Sequence, residues 1–354
     1  MDKNRISVLG LMSGTSLDGI DLAYVTFQKD GYQNFELVFA ETIPYTKKWK
    51  LILQNAFHYN PEKLQELSIS YGDYLGKEIN HFLKKHNINS IDFIASHGHT
   101  ILHQPEKGIT LQIGDGQTIA NMTQQKVVCD FRTQDVALGG QGAPLVPIGD
   151  ELLFSQYDYC INFGGFANIS FNKVGKRIAF DICPVNVVLN FYANKLEFDF
   201  DANGEIAKSG KYDETLFHQL NALAYYKKNP PKSLGIEWVN ATIFPILNAS
   251  KLPPETILRT FSDHIAWQIA STISEGKKVL CTGGGTYNQY IIQKIISFKK
   301  CELVIPEKKL IDFKEALIFA FLGLLRIDNQ INCLSSVTGA KKNHSSGNIF
   351  YPNL

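Results

Sequence analysis

No two of the six cysteines stand in a CxxC pair, so neither a zinc ribbon nor a redox dithiol is written in their spacing. Cys129, Cys160 and Cys281 sit in apolar runs. With Cys183, Cys301 and Cys333 they read as reduced residues, mostly core, which points to a cytoplasmic, reducing compartment. Long hydrophobic runs are missing too: no stretch approaches the roughly 18 apolar residues that span a bilayer. Residues Met1 to Met12 carry Lys3 and Arg5 before a short apolar run that turns polar too quickly for a signal peptide. Charge of one sign is absent. The chain has 35 basic and 34 acidic residues, a net +1, and so no global field to draw it to nucleic acid or membrane. Its basic runs, such as Lys84-Lys85 and Lys341-Lys342, are solvated faces. There is no GxxxxGK[ST] loop, no GxGxxG after a strand, and neither H-R-D nor D-F-G. A bound nucleotide would therefore be held by glycine hairpins and not by a Walker loop.

What the chain does have is length and an apolar budget. Its 354 residues, at roughly 150 per domain, predict two domains. With 44% hydrophobic residues, each half can bury a core of its own. Ile6–Met12 and Ile20–Phe27 read as strands around a polar, glycine-containing tip. Pro61–His86 reads as a helix with Leu64, Leu67, Tyr71, Leu75, Ile79 and Phe82 on one face. Ile91–Ser96 is a buried strand ending at His97-Gly98-His99-Thr100. Gln124–Pro147, with the strand Lys126–Phe131 and the run Gly139-Gly140-Gln141-Gly142-Ala143-Pro144, reads as a flexible domain crossover. After it the opening pattern returns: strands at Tyr157–Phe163, Ile169–Asn172 and Arg177–Asp181 around a Gly164-Gly165 tip. Helices follow at Pro184–Leu196, Thr256–Ile273 and Phe313–Ile327, with the strand Lys278–Cys281 between the second and third. This weak repeat predicts two similar α/β halves, each offering a glycine tip to a shared cleft. The expected boundaries are 1–132 with the tail 336–354 packing back, and 133–335.

Four motifs carry chemistry. The tip from Ser13 through Gly14, Thr15, Ser16, Leu17, Asp18, Gly19 and Ile20 to Asp21 has more Gly, Ser, Thr and Asp than a hairpin turn requires. Its backbone N–H groups and hydroxyls suit a phosphate, and Asp18 or Asp21 suits Mg²⁺ held through water. Gly164 and Gly165 form a second phosphate cradle or a plain turn. Gly283, Gly284 and Gly285 after a buried strand read equally as a flat seat for a nucleoside or as a flexible connection. Asp181, expected to end a strand before a helix, reads as a catalytic carboxylate or as that helix's N-cap. A rival reading takes His97, His99 and Asp115 as ligands of a metal-dependent hydrolase.

The same residues resemble the anhydro-N-acetylmuramic acid kinase family. The resemblance rests on Ser13–Asp21, Ser96–Thr100, Leu111–Asp115, Asp130–Arg132, Gly139–Pro147, Pro230–Ser233 and Thr338–Ala340, in order along nearly the whole chain. It implies a two-domain actin–hexokinase (ribonuclease H-like) fold with a central cleft, use of ATP and Mg²⁺, a cytoplasmic homodimer and a role in peptidoglycan recycling. The implied reaction takes 1,6-anhydro-N-acetylmuramic acid, water and ATP to N-acetylmuramic acid 6-phosphate. By resemblance the nucleotide loop falls on Gly14 to Asp21, the catalytic aspartate on Asp181 and sugar-site residues on Arg132 and Glu315. Ser13, His97, Gly140 and Asn186 complete the expected sugar contacts. The chain departs from the family pattern at Ile182 and Cys183, where Thr and Gly are usual, and at His99, where Gln is usual.

Overall fold

The computed structural model describes residues 4–14, 16–29 and 31–353. The chain divides into two compact units, Met1–Ser155 with Phe313–Leu354, and Gln156–Asp312. The division differs from the expected boundaries. Residues 133–155 and 313–335 pack with the first unit, and the chain passes between units at 155/156 and 312/313.

The first unit is built on β1 (Arg5–Ser13), β2 (Gly19–Gln28), β3 (Gly31–Pro44), β4 (Phe93–Gln104), β5 (Ile109–Ile113) and β6 (Val127–Cys129). β1, β2 and β3 form an antiparallel meander, and β4 and β6 continue the sheet in parallel on the other side of β1. β5 folds back on β4, and the short strand Asn348–Phe350 closes the edge against β6. The helix Pro61–Lys85 covers one face of this sheet. Asn60 caps it by accepting the Lys63 N–H at 2.9 Å, and Pro61 occupies its first turn, where a missing N–H costs nothing. The six apolar residues expected on its inner face are all buried. Gly72 and Gly76 share that face because the next helix, Gly116–Thr123, approaches there: a Cβ on Gly76 would lie 2.5 Å from Met122 Cγ.

The second unit repeats the plan with β7 (Tyr159–Phe163), β8 (Phe166–Lys173), β9 (Lys176–Pro184), β10 (Lys278–Thr282) and β11 (Glu302–Val304). β7–β8–β9 is the antiparallel meander, with β10 parallel to β7 and β11 parallel to β10. Counting only the meander and its parallel additions, both sheets run 3-2-1-4-5, which is the ribonuclease H-like pattern of the actin–hexokinase superfold present twice in one chain. The helix Pro254–Thr272 packs on the second sheet. It buries Ile257, Leu258, Phe261, Ile265 and Ile269, each worth roughly 1.5–3 kcal/mol in water-exclusion terms. No described helix is long and apolar enough to cross a membrane.

Three expectations change. β3 was not foreseen, and β4 runs on to Gln104, so the paired histidines lie on a strand and not in a loop. The Gly139–Pro144 run is not a flexible crossover. It is pinned by Gly142 N–H to Asp135 Oδ2 at 2.7 Å and Gln141 N–H to the Thr338 carbonyl at 2.8 Å.

Candidate active site

In the first unit the loop between β1 and β2 is closed by the Leu17 N–H on the Gly14 carbonyl at 3.3 Å, with Leu17 at φ 59°. Thr15 lies outside the described residues. The rest of the predicted phosphate run splits by packing. Ile20 is 1% exposed in the core, and a Cβ on Gly19 would lie 2.3 Å from the Ile43 carbonyl oxygen, so these two serve the sheet. Asp21 accepts the Thr42 hydroxyl at 2.5 Å. Ser16 and Asp18 are exposed, and among the described residues only Ser16 Oγ stands near the missing Cβ of Gly14, at 3.6 Å. Among the described residues nothing crowds a side chain at Gly14, and a ligand that must approach the backbone would favour glycine there.

β4 carries the two histidines, and each has a fixed state. His97 Nδ1 stands 2.9 Å from the Gly98 carbonyl, which can only accept, so Nδ1 carries the proton. Its Nε2 then accepts Arg132 Nε–H at 2.9 Å. Burial first and the Arg132 guanidinium second hold the His97 pKa well below its ordinary value. His99 Nδ1 shares a 2.8 Å hydrogen bond with Ser13 Oγ, which meets Tyr45 Oη at 2.5 Å, and Tyr45 in turn bonds Tyr71. Burial lowers the His99 pKa to about 4, so this ring is neutral at physiological pH. Arg132 also donates Nη1–H to the Gly142 carbonyl at 2.6 Å. Glu315 is solvent-accessible but closely ringed by protein. That crowding raises its carboxyl pKa, with Arg132 opposing and Asp21 adding to the rise. Gly140 is buried, and a Cβ there would lie 2.2 Å from Asp135 Oδ2, so its smallness answers to packing.

The proposed metal ligands of the rival hydrolase do not assemble. His97 is saturated by Gly98 and Arg132, His99 Nδ1 is bonded to Ser13, and Asp115 caps the helix Gly116–Thr123 by accepting the Thr118 N–H at 2.7 Å.

In the second unit Asp181 lies within β9, which continues to Pro184; the helix that follows, Asn186–Asn194, begins later than expected. A bulge opposite Ala167 and Asn168 breaks the β8–β9 register beside Asp181, and such bulges re-aim side chains. Asp181 is not an N-cap: Val185 holds that position and makes no side-chain cap. Instead Asp181 Oδ2 accepts the Leu234 N–H at 2.8 Å, and its own carbonyl accepts the Tyr225 hydroxyl at 2.6 Å. Burial raises the Asp181 carboxyl pKa, with the Leu234 N–H opposing. Lys232, two residues before Leu234, lies 4.7 Å over the Tyr225 ring and 5.4 Å over the Phe180 ring.

The second unit's glycines also divide. The Gly164 and Gly165 carbonyls take the N–H groups of Asn186 and Val185 at 3.3 and 2.8 Å, which ties the hairpin tip to the next helix. A Cβ on Gly283 would stand 2.6 Å from Asn162 Oδ1, and one on Gly285 2.9 Å from Phe163 Cβ. Gly284 alone of the three is exposed, with nothing within 4 Å of its missing Cβ. Asn186 Nδ2 reaches the Phe163 carbonyl at 3.5 Å, close to Gly285. Sequence reasoning missed Asp135, Tyr45, Tyr71, Tyr225 and Leu234. None lies in a motif that declares itself; Lys232 does stand in the Pro230–Ser233 run.

The second unit thus offers a carboxylate of raised pKa and one open glycine, and the first unit offers one open glycine and a neutral histidine bound to an arginine. The chain is 35% identical over 372 residues to an anhydro-N-acetylmuramic acid kinase of Coxiella burnetii (strain Dugway 5J108-111), covering 99% of this chain and 98% of that one. It is 33% identical over 381 residues to a protein of the same name from Bacillus cereus (strain AH187), covering 98% and 100%. Solved structures are more distant: an activator of 2-hydroxyisocaproyl-CoA dehydratase from Clostridium difficile is 13% identical with a TM-score of 0.43, over 91% of this chain and 97% of that one. The profile of one family matches residues 6–352, and on that match and those full-length relatives the chain belongs to the anhydro-N-acetylmuramic acid kinase family.

Proposed function

We infer that the chain is an ATP-dependent kinase that converts 1,6-anhydro-N-acetylmuramic acid and water to N-acetylmuramic acid 6-phosphate and ADP, with Asp181 as the base. Asp181 takes a proton from a water whose oxygen bonds to the anomeric carbon. The bond from that carbon to the bridge oxygen breaks, the freed oxygen attacks the γ-phosphorus, and ADP departs. The observation that carries this reading is the state of Asp181. It is a half-buried carboxylate beside a strand bulge with a raised pKa, and it has no capping duty.

The backbone at Gly14 and Gly284 is open enough for a nucleotide to approach. Asp18, exposed beside the first loop, would hold Mg²⁺ through water, and the ion would offset phosphate charge. Arg132, His97, Ser13, Asn186 and Glu315 are the sugar-site residues of this reading. The charged Arg132 suits a substrate carboxylate, and His97 orients that guanidinium by accepting its Nε–H. The six free cysteines fit a cytoplasmic setting; the homodimer and the role in peptidoglycan recycling are carried into this reading by the family resemblance of the sequence. The test is the reaction run in ¹⁸O-water with anhydro and free amino sugars in parallel. The label is expected at the anomeric position and not in the transferred phosphate. A phosphorylated product with its anhydro bridge intact would reduce the chain to an ordinary sugar kinase in which Asp181 deprotonates a sugar hydroxyl.

A further inference from the structure

Behind the Gly139–Pro144 loop lies a cluster that the kinase reading does not use. Cys333 and His344 face each other across an isolated antiparallel bridge, closed by the Cys333 N–H on the His344 carbonyl at 3.0 Å and the reverse bond at 3.2 Å. Asp135, from the short helix Thr133–Ala137, completes the group. One donor atom from each of the three lies within 4.8 Å of the other two. Asp135 is 0% exposed, Cys333 2% and His344 6%. All three belong to the first unit.

The imidazole supplies the independent observation. His344 Nδ1 stands 3.1 Å from the Lys342 carbonyl, which can only accept, so Nδ1 carries a proton. In a neutral ring Nε2 is then a bare lone pair. Among the described residues it makes no hydrogen bond, and it faces Asp135 Oδ1 at 3.5 Å. A lone pair directed at a carboxylate oxygen in a dry interior is repulsive, so something positive belongs between them. A second proton would serve as an ion pair with Asp135, but a cation would engage Cys333 Sγ as well, the third donor of the same cluster.

We propose that Asp135, Cys333 and His344 form a buried site for a divalent cation of the zinc class. The donor set is one nitrogen, one sulfur and one oxygen, which is a zinc-type set. On binding, the Cys333 thiol releases its proton to solvent, and the resulting thiolate with the Asp135 carboxylate balances the ion's charge without a second proton on the imidazole. Donors bound at about 2.0–2.3 Å stand about 3.3–3.8 Å apart in a tetrahedron, so from separations of up to 4.8 Å the cluster closes by about 1.5 Å at most. The surroundings match the outer shell that orients metal ligands. The His344 Nδ1–H is held by a backbone carbonyl, Asp135 Oδ1 by the Thr338 hydroxyl at 2.7 Å, and Asp135 Oδ2 by the Gly142 N–H at 2.7 Å. Bound there, the ion ties residues 333–344 to the Gly139–Pro144 loop.

The full-length chain is loaded with Zn²⁺ or Co²⁺ alone and dialysed. One equivalent of Zn²⁺ should be retained, and Co²⁺ should give a thiolate-to-cobalt charge-transfer band. Cys333→Ser should abolish the band, whereas Cys301→Ser at the half-buried thiol should keep it. Thr338→Val should weaken Zn²⁺ binding by about 10- to 100-fold through the outer shell. Retention of Zn²⁺ by Cys333→Ser with unchanged affinity would overturn the proposal. So would a doubly protonated His344 ring seen by NMR with equimolar Zn²⁺ present. If Cys333→Ser does not fold, the spectrum of the unaltered chain decides, and no thiolate band with Co²⁺ would sink the site.

Discussion

Replacing Asp181 with Asn separates the base from the scaffold. The carboxylate makes its one hydrogen bond among the described residues with the Leu234 N–H, at 2.8 Å, and it does so as an acceptor. The Asn side-chain oxygen can take the same bond, so that contact survives. The carboxyl pKa is raised by burial, which means the charged form is penalised in place. A neutral amide relieves that penalty, and Asp181→Asn should therefore leave stability within about 1 kcal/mol of the parent or raise it slightly. Asp181→Ala is the contrasting change. It strands the Leu234 N–H and should cost about 1–3 kcal/mol. On activity the expectation reverses in emphasis. A general base contributes about 10²- to 10⁴-fold, so Asp181→Asn should lose at least that much in sugar-dependent ADP release with nucleotide affinity retained. The assays are coupled ADP release, ATP calorimetry and urea unfolding on the same preparations. In the parent, the acid limb of kcat/KM should fall at a pH above the ordinary aspartate range. A variant retaining activity within about threefold of the parent, well outside the general-base range, would refute the assignment of the base.

The glycine sorting predicts opposite outcomes one residue apart. Gly284→Val, into open space, should leave stability unchanged and weaken ATP by tenfold or more (about 1.4 kcal/mol), whereas Gly285→Ala should cost about 1–3 kcal/mol of stability by pressing on Phe163; equal effects in calorimetry and unfolding would void the sorting. The buried histidines predict acid sensitivity. His99 and His264 have folded pKa values lowered to about 4 and about 3, so below their unfolded value near 6.5 the unfolded chain binds protons that the folded chain refuses. Their stabilising effect is complete above pH 6.5 and is lost as pH falls towards 4 and 3, by about 1.4 kcal/mol per unit for each ring. His99→Gln should remove about 2 kcal/mol of the loss between pH 7 and pH 5 measured by urea unfolding, and an unchanged loss would show that His99 does not titrate this way.

The sequence by itself determined the repeated plan. Two strand–tip–strand openings, the apolar face of Pro61–Lys85 and the Pro254–Thr272 helix follow from local periodicity, and periodicity is a property of neighbouring residues. The balanced charge and the missing Walker loop likewise follow from composition and motif alone. β3 was not legible: among its 14 residues exposed and half-buried positions do not alternate cleanly, and its pairing with β2 is what makes it a strand. The residues around the reactive groups were hidden for the same reason. Asp181 gains its partner from Leu234, 53 positions on, and the bulge that re-aims it arises only when β8 and β9 pair. Asp135 meets Thr338 across 203 positions, and that bond, with Gly142, turned an expected flexible crossover into a pinned loop of the first unit. Which glycines make room for a ligand and which make room for the protein was decided by what stands within a few ångströms of each missing Cβ. Distance of that kind exists only once remote segments have packed, and so only the tertiary structure could decide it.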